Sequence, residues 1–323
     1  MSIRELSSNM NRILKIFRRV CIIRGQFLIF IFIFLCSDII YADVGNSGMA
    51  FLKIPSSARS AATMTVFSQM SGAPSSLFEN PVGIKTDHPY FTFSHNVWFA
   101  DVSGEVIALS LPSKRGAFAC GLNFVRIPGI EVRDKPSNDP LNTIEAQYLT
   151  AAVGYSHSIF NKLELGGAIK YLYESLYTKC GRGAALDVGV QWNAPSSLDI
   201  SLLIQNLGFM SALYEEKTTL PLIFQIGIVR PEIFVEGPLN ASVGLNLGSN
   251  LTTGESKAQV GAEIGIKKIL FIRGGFEHIG SINRSSLGFG LKVKRFQLDY
   301  ALLFMPEGLG YPYLITLTYR PGK

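Results

Sequence analysis

The sequence predicts an all-β protein, a transmembrane antiparallel β-barrel of about fourteen strands with an N-terminal plug segment in its lumen. Three observations lead there. The first 42 residues read as an export signal, nearly every segment after Pro89 alternates with a period of two, and the polar side of that alternation is built from small residues. The chain divides accordingly into 1–42 (signal peptide), 43–88 (plug) and 89–323 (barrel).

Arg12, Lys15, Arg18, Arg19 and Arg24 form a basic leader to the apolar run FLIFIFIFLCSDII, and Tyr41-Ala42 offers a small residue for cleavage. The run is shorter than the roughly 20 apolar residues of a spanning helix. An uncleaved anchor is the alternative, and the long leader makes Met10 a candidate start; Leu35 before Cys36 argues against a lipoprotein.

The next 46 residues, 43–88, lack strand or helix periodicity. Their most distinctive stretch is SSLFENPVGI, Ser75 to Ile84. Pro81 biases Asn80 toward extended backbone. Leu77, Phe78, Val82 and Ile84 supply apolar surface to the lumen of a barrel too wide for its own side chains to fill.

Fourteen strands are expected, near 89–96, 103–111, 117–126, 145–157, 162–174, 183–192, 197–206, 222–230, 238–247, 257–267, 268–277, 285–294, 295–304 and 312–320. In SSLGFGLKVK one face carries Leu287, Phe289, Leu291 and Val293, the other Ser286, Gly288, Gly290, Lys292 and Lys294. GAALDVGVQW, SLDISLLIQ and KAQVGAEIGIK divide the same way. Turn residues separate the runs (NAPSS, PSK, EGP, GSI), and 127–144 and 209–221 are expected to be the longest loops.

A secreted sandwich also alternates. Here, however, the polar face is Gly, Ala and Ser with sparse charges of both signs: Glu105, Glu164, Lys170, Asp187, Asp199, Glu263, Arg273, Glu277, Lys292 and Asp299. Such a face suits a lumen in which side chains pair across the interior, leaving the apolar face for lipid. Trp98, Phe99, Tyr171, Tyr173, Trp192, Phe304, Tyr311 and Tyr319 lie toward strand ends, as interfacial girdles do. Membrane lipid is therefore an expected partner and the bacterial outer membrane the expected location.

Composition excludes several classes. Of 30 Lys and Arg, six lie in the first 42 residues, with two of the 24 Asp and Glu, so the rest carries 24 against 22 and a net charge of +2. That leaves no basic footprint for nucleic acid. Cys120 and Cys180 are too few for a disulfide framework. His88, His95, His157 and His278 are not spaced as metal ligands, and His95 reads as fixing a strand-to-loop corner. GRGAAL at 181–186 lacks a third glycine and a following helix, and no GxSxG elbow occurs. No enzyme activity, cofactor or metal is expected.

The segment GMAFLKIPSSARSAATMTVFSQMSGAPSSLFENPVGI (48–84) resembles the opening of the PorV/PorQ family of outer-membrane proteins, related to FadL-like transporters. FSHNVWFADVSGE (93–105) and the stretch 198–228, with Gln205-Asn206-Leu207-Gly208 and Leu220-Pro221, resemble further parts of it. The chain departs in three places: Glu79 stands where the family has Trp, Val82 where it has Ala, and Ala62, Met64 and Thr65 replace the family's glycine-rich stretch after Ala58-Arg59. The resemblance implies a plug motif at Phe78, Asn80, Pro81 and Gly83. It also implies an accessory role in type IX-like protein secretion, with exported cargo or secretion components as partners. The alternative it implies is transport of small hydrophobic compounds, with Phe67, Met70, Leu77 and Phe78 lining a lumenal pocket.

Overall fold

The computed structural model describes residues 48–321 apart from 71, 134, 137–138, 161, 196, 214–216 and 307. The expected signal, and the start of the expected plug at 43–47, lie outside the described residues. Fourteen strands follow one another around a closed antiparallel barrel. They are β1 (Tyr90–Val97), β2 (Ser103–Ser113), β3 (Gly116–Val132), β4 (Asn142–Ile159), β5 (Leu163–Leu176), β6 (Lys179–Ala194), β7 (Leu198–Met210), β8 (Ile223–Glu236), β9 (Leu239–Asn250), β10 (Ser256–Ile266), β11 (Leu270–Ile279), β12 (Ile282–Val293), β13 (Phe296–Phe304) and β14 (Tyr313–Tyr319). Each pairs with its sequence neighbours, and β14 returns to β1 with Ser94 opposite Thr316, so no edge remains.

Side-chain direction settles what surrounds the barrel. On β12, Leu287, Phe289, Leu291 and Val293 are all exposed while Ser286 and Gly290 are buried. The same inversion runs through Phe118 (57% exposed) and Ile169 (61%) on other strands, against fully buried Asp187 and Lys170 (1%). Water would not tolerate an apolar belt of this extent. The protein is an integral outer-membrane β-barrel.

At one end every connection, β2–β3, β4–β5, β6–β7, β8–β9, β10–β11 and β12–β13, is two or three residues; the other end carries the longer loops, such as 98–102, 211–222 and 305–312, beside two-residue turns at 177–178 and 280–281. In outer-membrane barrels short turns face the periplasm and long loops the exterior.

Three expectations need correction. Half of the loop expected over 127–144 (127–132 and 142–144) is strand, because β3 and β4 continue pairing past a register shift between Ile127 and Ile130, where Gly129 takes φ 72°. Periodicity fails at that bulge although backbone pairing does not. Trp98 points inward, 9% exposed, because its amide bonds Val102 O at 2.7 Å across a turn with left-handed Ala100 and Asp101. Glu105 faces outward, where His95 Nδ1 lies 3.2 Å from its carboxylate, since the inward side of β2 is Gly104, Val106 and Ala108.

Candidate functional site

Residues 48–88 carry the short helix Ala58–Ala62 and 3-10 turns at Ala50–Lys53, Pro74–Phe78 and Pro81–Ile84. Two sequence features start these elements: Ser57 caps the helix by accepting from Ser60 N, and Asn80 accepts from Val82 N with Pro81 at the first turn position. The segment lies against inward-facing residues of the strands. Ala58 N donates to Thr316 Oγ1 of β14 at 2.7 Å, and Ala58, Ala61 and Ala62 pack on Ala301 and Leu314.

The small inward residues turn out to be its bed. A Cβ added to Gly121 on β3 would lie 3.1 Å from the Phe78 ring, and one on Gly154 of β4 would meet Leu77 at 2.7 Å and Ile84 at 2.9 Å. On Gly166 of β5 it would meet Pro81 and Val82, on Gly189 of β6 Asn80, and on Gly244 of β9 Val66. Gly261 on β10 faces Thr63, Gly275 on β11 faces Met64, and Gly288 on β12 faces Ala62. The bed thus spans eight strands, each offering a glycine where the chain inside comes closest.

Charged groups fix the segment at discrete points. Arg59 donates to both oxygens of Glu263 at 3.0 Å, and Arg273 joins Glu263 to Asp299 at 2.5 and 2.6 Å. On the opposite wall, buried Lys170 pairs with Asp187 at 2.6 Å and reaches Asn206 Oδ1 at 3.2 Å and the Phe78 carbonyl at 3.4 Å. Asn206 sits at a β6–β7 register shift with φ 60°, its amide donating to Asp187 at 2.8 Å. Lys85 pairs with Glu164 near the short-turn end. Glu79 accepts from Ser56 N, Ser56 Oγ and Ser60 Oγ at 2.6–2.7 Å. Burial pushes its carboxyl above the usual range, against those hydrogen bonds and the charge of Lys257.

Toward the long-loop end the filling is incomplete. Met49 and Phe51 pack on Val125, Leu172, Met210 and Leu220 and close the β3–β7 side. On the β8–β12 side a cavity of about 80 Å³ remains. Ile54, Met64, Phe78, Trp98 and Leu303 form its apolar wall; Glu79, Lys257, Glu277 and Arg284 form its polar wall. Arg284 and Gln259 both engage Glu277, whereas Lys257 makes no hydrogen bond or ion pair among the described residues.

The residues expected to line a pocket are thus divided. Phe78 reaches the cavity and accepts from Lys170 and Gln205 through its carbonyl. Leu77 is fully buried with Ile84 against β4, while Phe67 and Met70 pack elsewhere with Val66 and Val229. Asn80 and Pro81 form the turn over Gly166 and Gly189, and Gly83 lies where a Cβ would strike Ser76 at 2.7 Å. The polar wall was not expected as a site. Its one sequence signal was Glu79, an acid at an otherwise apolar motif position.

No family model matches the sequence, and no curated protein does. Solved structures do match. The Pseudomonas putida toluene transporter TodX aligns over 82% of this chain and 97% of its own, with TM-score 0.61 and 11% identity. The chain has the fold of the FadL-type barrels. The monoaromatic hydrocarbon channel CymD (TM-score 0.59, 10% identity, 83% and 97% covered) and a Pseudomonas aeruginosa FadL homologue (0.52, 10%, 82% and 98%) align equally fully. TodX is a transporter and CymD a channel, and identities this low carry the fold alone.

Proposed function

We propose that the protein is an outer-membrane channel for small hydrophobic compounds, and that the half-apolar cavity above Phe78 is their lumenal stop. The carrying observation is that cavity, set between a lumenal segment and the long-loop end, in a barrel whose fold is shared with a toluene transporter and a monoaromatic hydrocarbon channel. At about 80 Å³ it is smaller than the roughly 300–1,000 Å³ of sites that enclose drug-sized ligands, so passage requires part of the segment to move. Residues 48–55 are the lesser barrier. Met49 and Phe51 are their buried anchors, worth about 3–6 kcal/mol together, whereas 57–84 rests on the glycine bed and its ion pairs.

The accessory role in secretion finds less support in this geometry. Half of the segment 127–144 that would meet an exported protein is strand, and the distinctive motif residues point into the barrel. Trp98 offers a direct test, because the other tryptophan, Trp192, faces outward. In a Trp192→Phe background, toluene-sized compounds should change Trp98 emission saturably, and expressing cells should take up labelled compound faster than vector controls. Unchanged emission together with uptake equal to the control would remove the proposal.

A further inference from the structure

We propose that the short-turn rim binds the anionic headgroups of phospholipids in the periplasmic leaflet. The β2–β3 turn carries Lys114 and Arg115, β4–β5 carries Lys162, β10–β11 carries Lys267 and Lys268, and β12–β13 carries Lys294 and Arg295. All seven are exposed, and none makes a salt bridge among the described residues. Arg320 adds a charge where β14 ends, over the Tyr90 ring at 4.6 Å.

Strand order turns this scatter into an arc. Around the closed wall, β10–β14 continue directly into β1–β5, so the basic turns are consecutive along the perimeter. The remaining turns, 195–197 and 237–238, contain no Lys or Arg. Asp87 is the exposed acid among the residues leading into β1, and Glu164 is already taken by Lys85. The long-loop end mixes both signs, with Asp101, Glu131 and Glu145 beside Lys135, Arg182 and Lys217.

Two features assign lipid rather than a docked protein. First, each basic turn directly joins the outward apolar belt: Leu111 and Phe118, Phe160, Ile269 and Leu270, and Val293 and Phe296 flank them and are exposed. A strand rises about 3.3 Å per residue, so ammonium groups one or two residues past the belt lie at the depth of the phosphates. Second, the charges run along the perimeter over four consecutive turns, from β10–β11 round to β4–β5, instead of gathering at one point, as contact with annular lipid requires. Lys267, Lys268 and Lys294 also hold φ of 53°, 56° and 53°, where glycine or asparagine would be less strained, so the turn geometry does not explain their charge.

Spin-labelled phosphatidylglycerol and phosphatidylcholine, competed for the annulus of the reconstituted protein, test the assignment. Attraction of about 1 kcal/mol per basic residue near an anionic surface corresponds to roughly fivefold per charge. The wild type should favour phosphatidylglycerol at least about fivefold at low salt. That preference should drop below about twofold at 1 M salt, where the Debye length is about 3 Å. It should fall equally in a K114Q/R115Q/K267Q/K268Q/K294Q/R295Q variant and persist in a K135Q/R182Q/K217Q variant. Equal affinity for both lipids in the wild type, or a preference kept by the rim variant, would overturn the proposal. Soluble polyglutamate held by the rim without lipid preference would overturn it too, in favour of an acidic protein. The salt series on the wild type decides the matter should the rim variant not fold.

Discussion

If the inward glycines are the bed of the lumenal segment, filling them should expel that segment before it harms the barrel. Val66, Leu77, Val82 and Ile84 are each fully buried, and at about 1.5–3 kcal/mol apiece they hold the segment by about 6–12 kcal/mol. A valine at Gly166 would press on the Pro81 backbone, one at Gly261 would meet Thr63 O at 2.6 Å, and one at Gly227 would crowd the Gln69 amide. Overpacking of this kind costs about 1–3 kcal/mol per site. The three glycines lie on β5, β10 and β8, none adjacent in the wall, so their costs should add to about 3–9 kcal/mol. Valine suits a strand, and the wall itself should persist. Each single substitution should therefore lower the urea midpoint yet leave planar-bilayer conductance at the closed level. Because that cost overlaps only the lower part of the segment's hold, the triple variant should open water-filled conductance in a measurable fraction of barrels while keeping the heat-modifiable gel mobility of a folded barrel. A folded triple variant as tight as wild type, or a single variant already fully open, would refute the reasoning.

Further expectations follow from the same geometry. Lys170→Met should cost about 3–5 kcal/mol by stranding buried Asp187, and adding Asp187→Leu should recover most of it; urea unfolding of the two variants checks this. Because burial raises the Glu79 carboxyl, its contribution to stability is full below the unfolded value near 4.5 and declines as pH rises through the folded one. Glu79→Gln should accordingly flatten the fall in unfolding midpoint measured from pH 4 upward. Leu287→Arg, near the middle of the lipid-facing side of β12, should destabilise the reconstituted barrel by about 2–4 kcal/mol, read from its folding equilibrium in vesicles.

Strands were legible because their signal is local. Leu287 through Val293 alternate with small residues whichever strand they pair with, and each of the fourteen expected runs overlaps one observed strand. What failed was the detail set by bulges and corners. Nothing local marks Ile127 and Ile130 as continuing one strand, and Trp98 and Glu105 exchange sides because left-handed Ala100 and Asp101 reverse the chain. The cavity was less legible than the fold. Its polar wall collects Glu79, Lys257, Glu277 and Arg284 from the lumenal segment and three strands, and no pattern along the chain brings them together. Of the apolar residues expected to line it, Leu77 packs with Ile84 over Gly154 and Phe67 packs with Val66, Val229 and Met70.

The Phe78 carbonyl ties that cavity to the wall. Lys170 and Gln205 both donate to it at 3.4 Å, and Lys170 is held by Asp187 and Asn206 at the β6–β7 register shift. Phe78 lines the cavity while its ring tip packs toward Gly121 of β3 and its carbonyl is fastened to strands. A compound pressing on Phe78 therefore works against a buried, charge-assisted anchor. One displacing residues 48–55 works against the packing of Met49 and Phe51, the Gly48 N–H bond to Thr219 O at 3.0 Å and the part-exposed Lys53–Glu255 pair. The weaker restraint lies on the long-loop side, so movement should begin there. Crosslinking residue 48 to Thr218, which Gly48 touches, should then block compound entry while leaving the Lys170 anchor intact; entry undiminished by that crosslink would place the moving part deeper in the lumen.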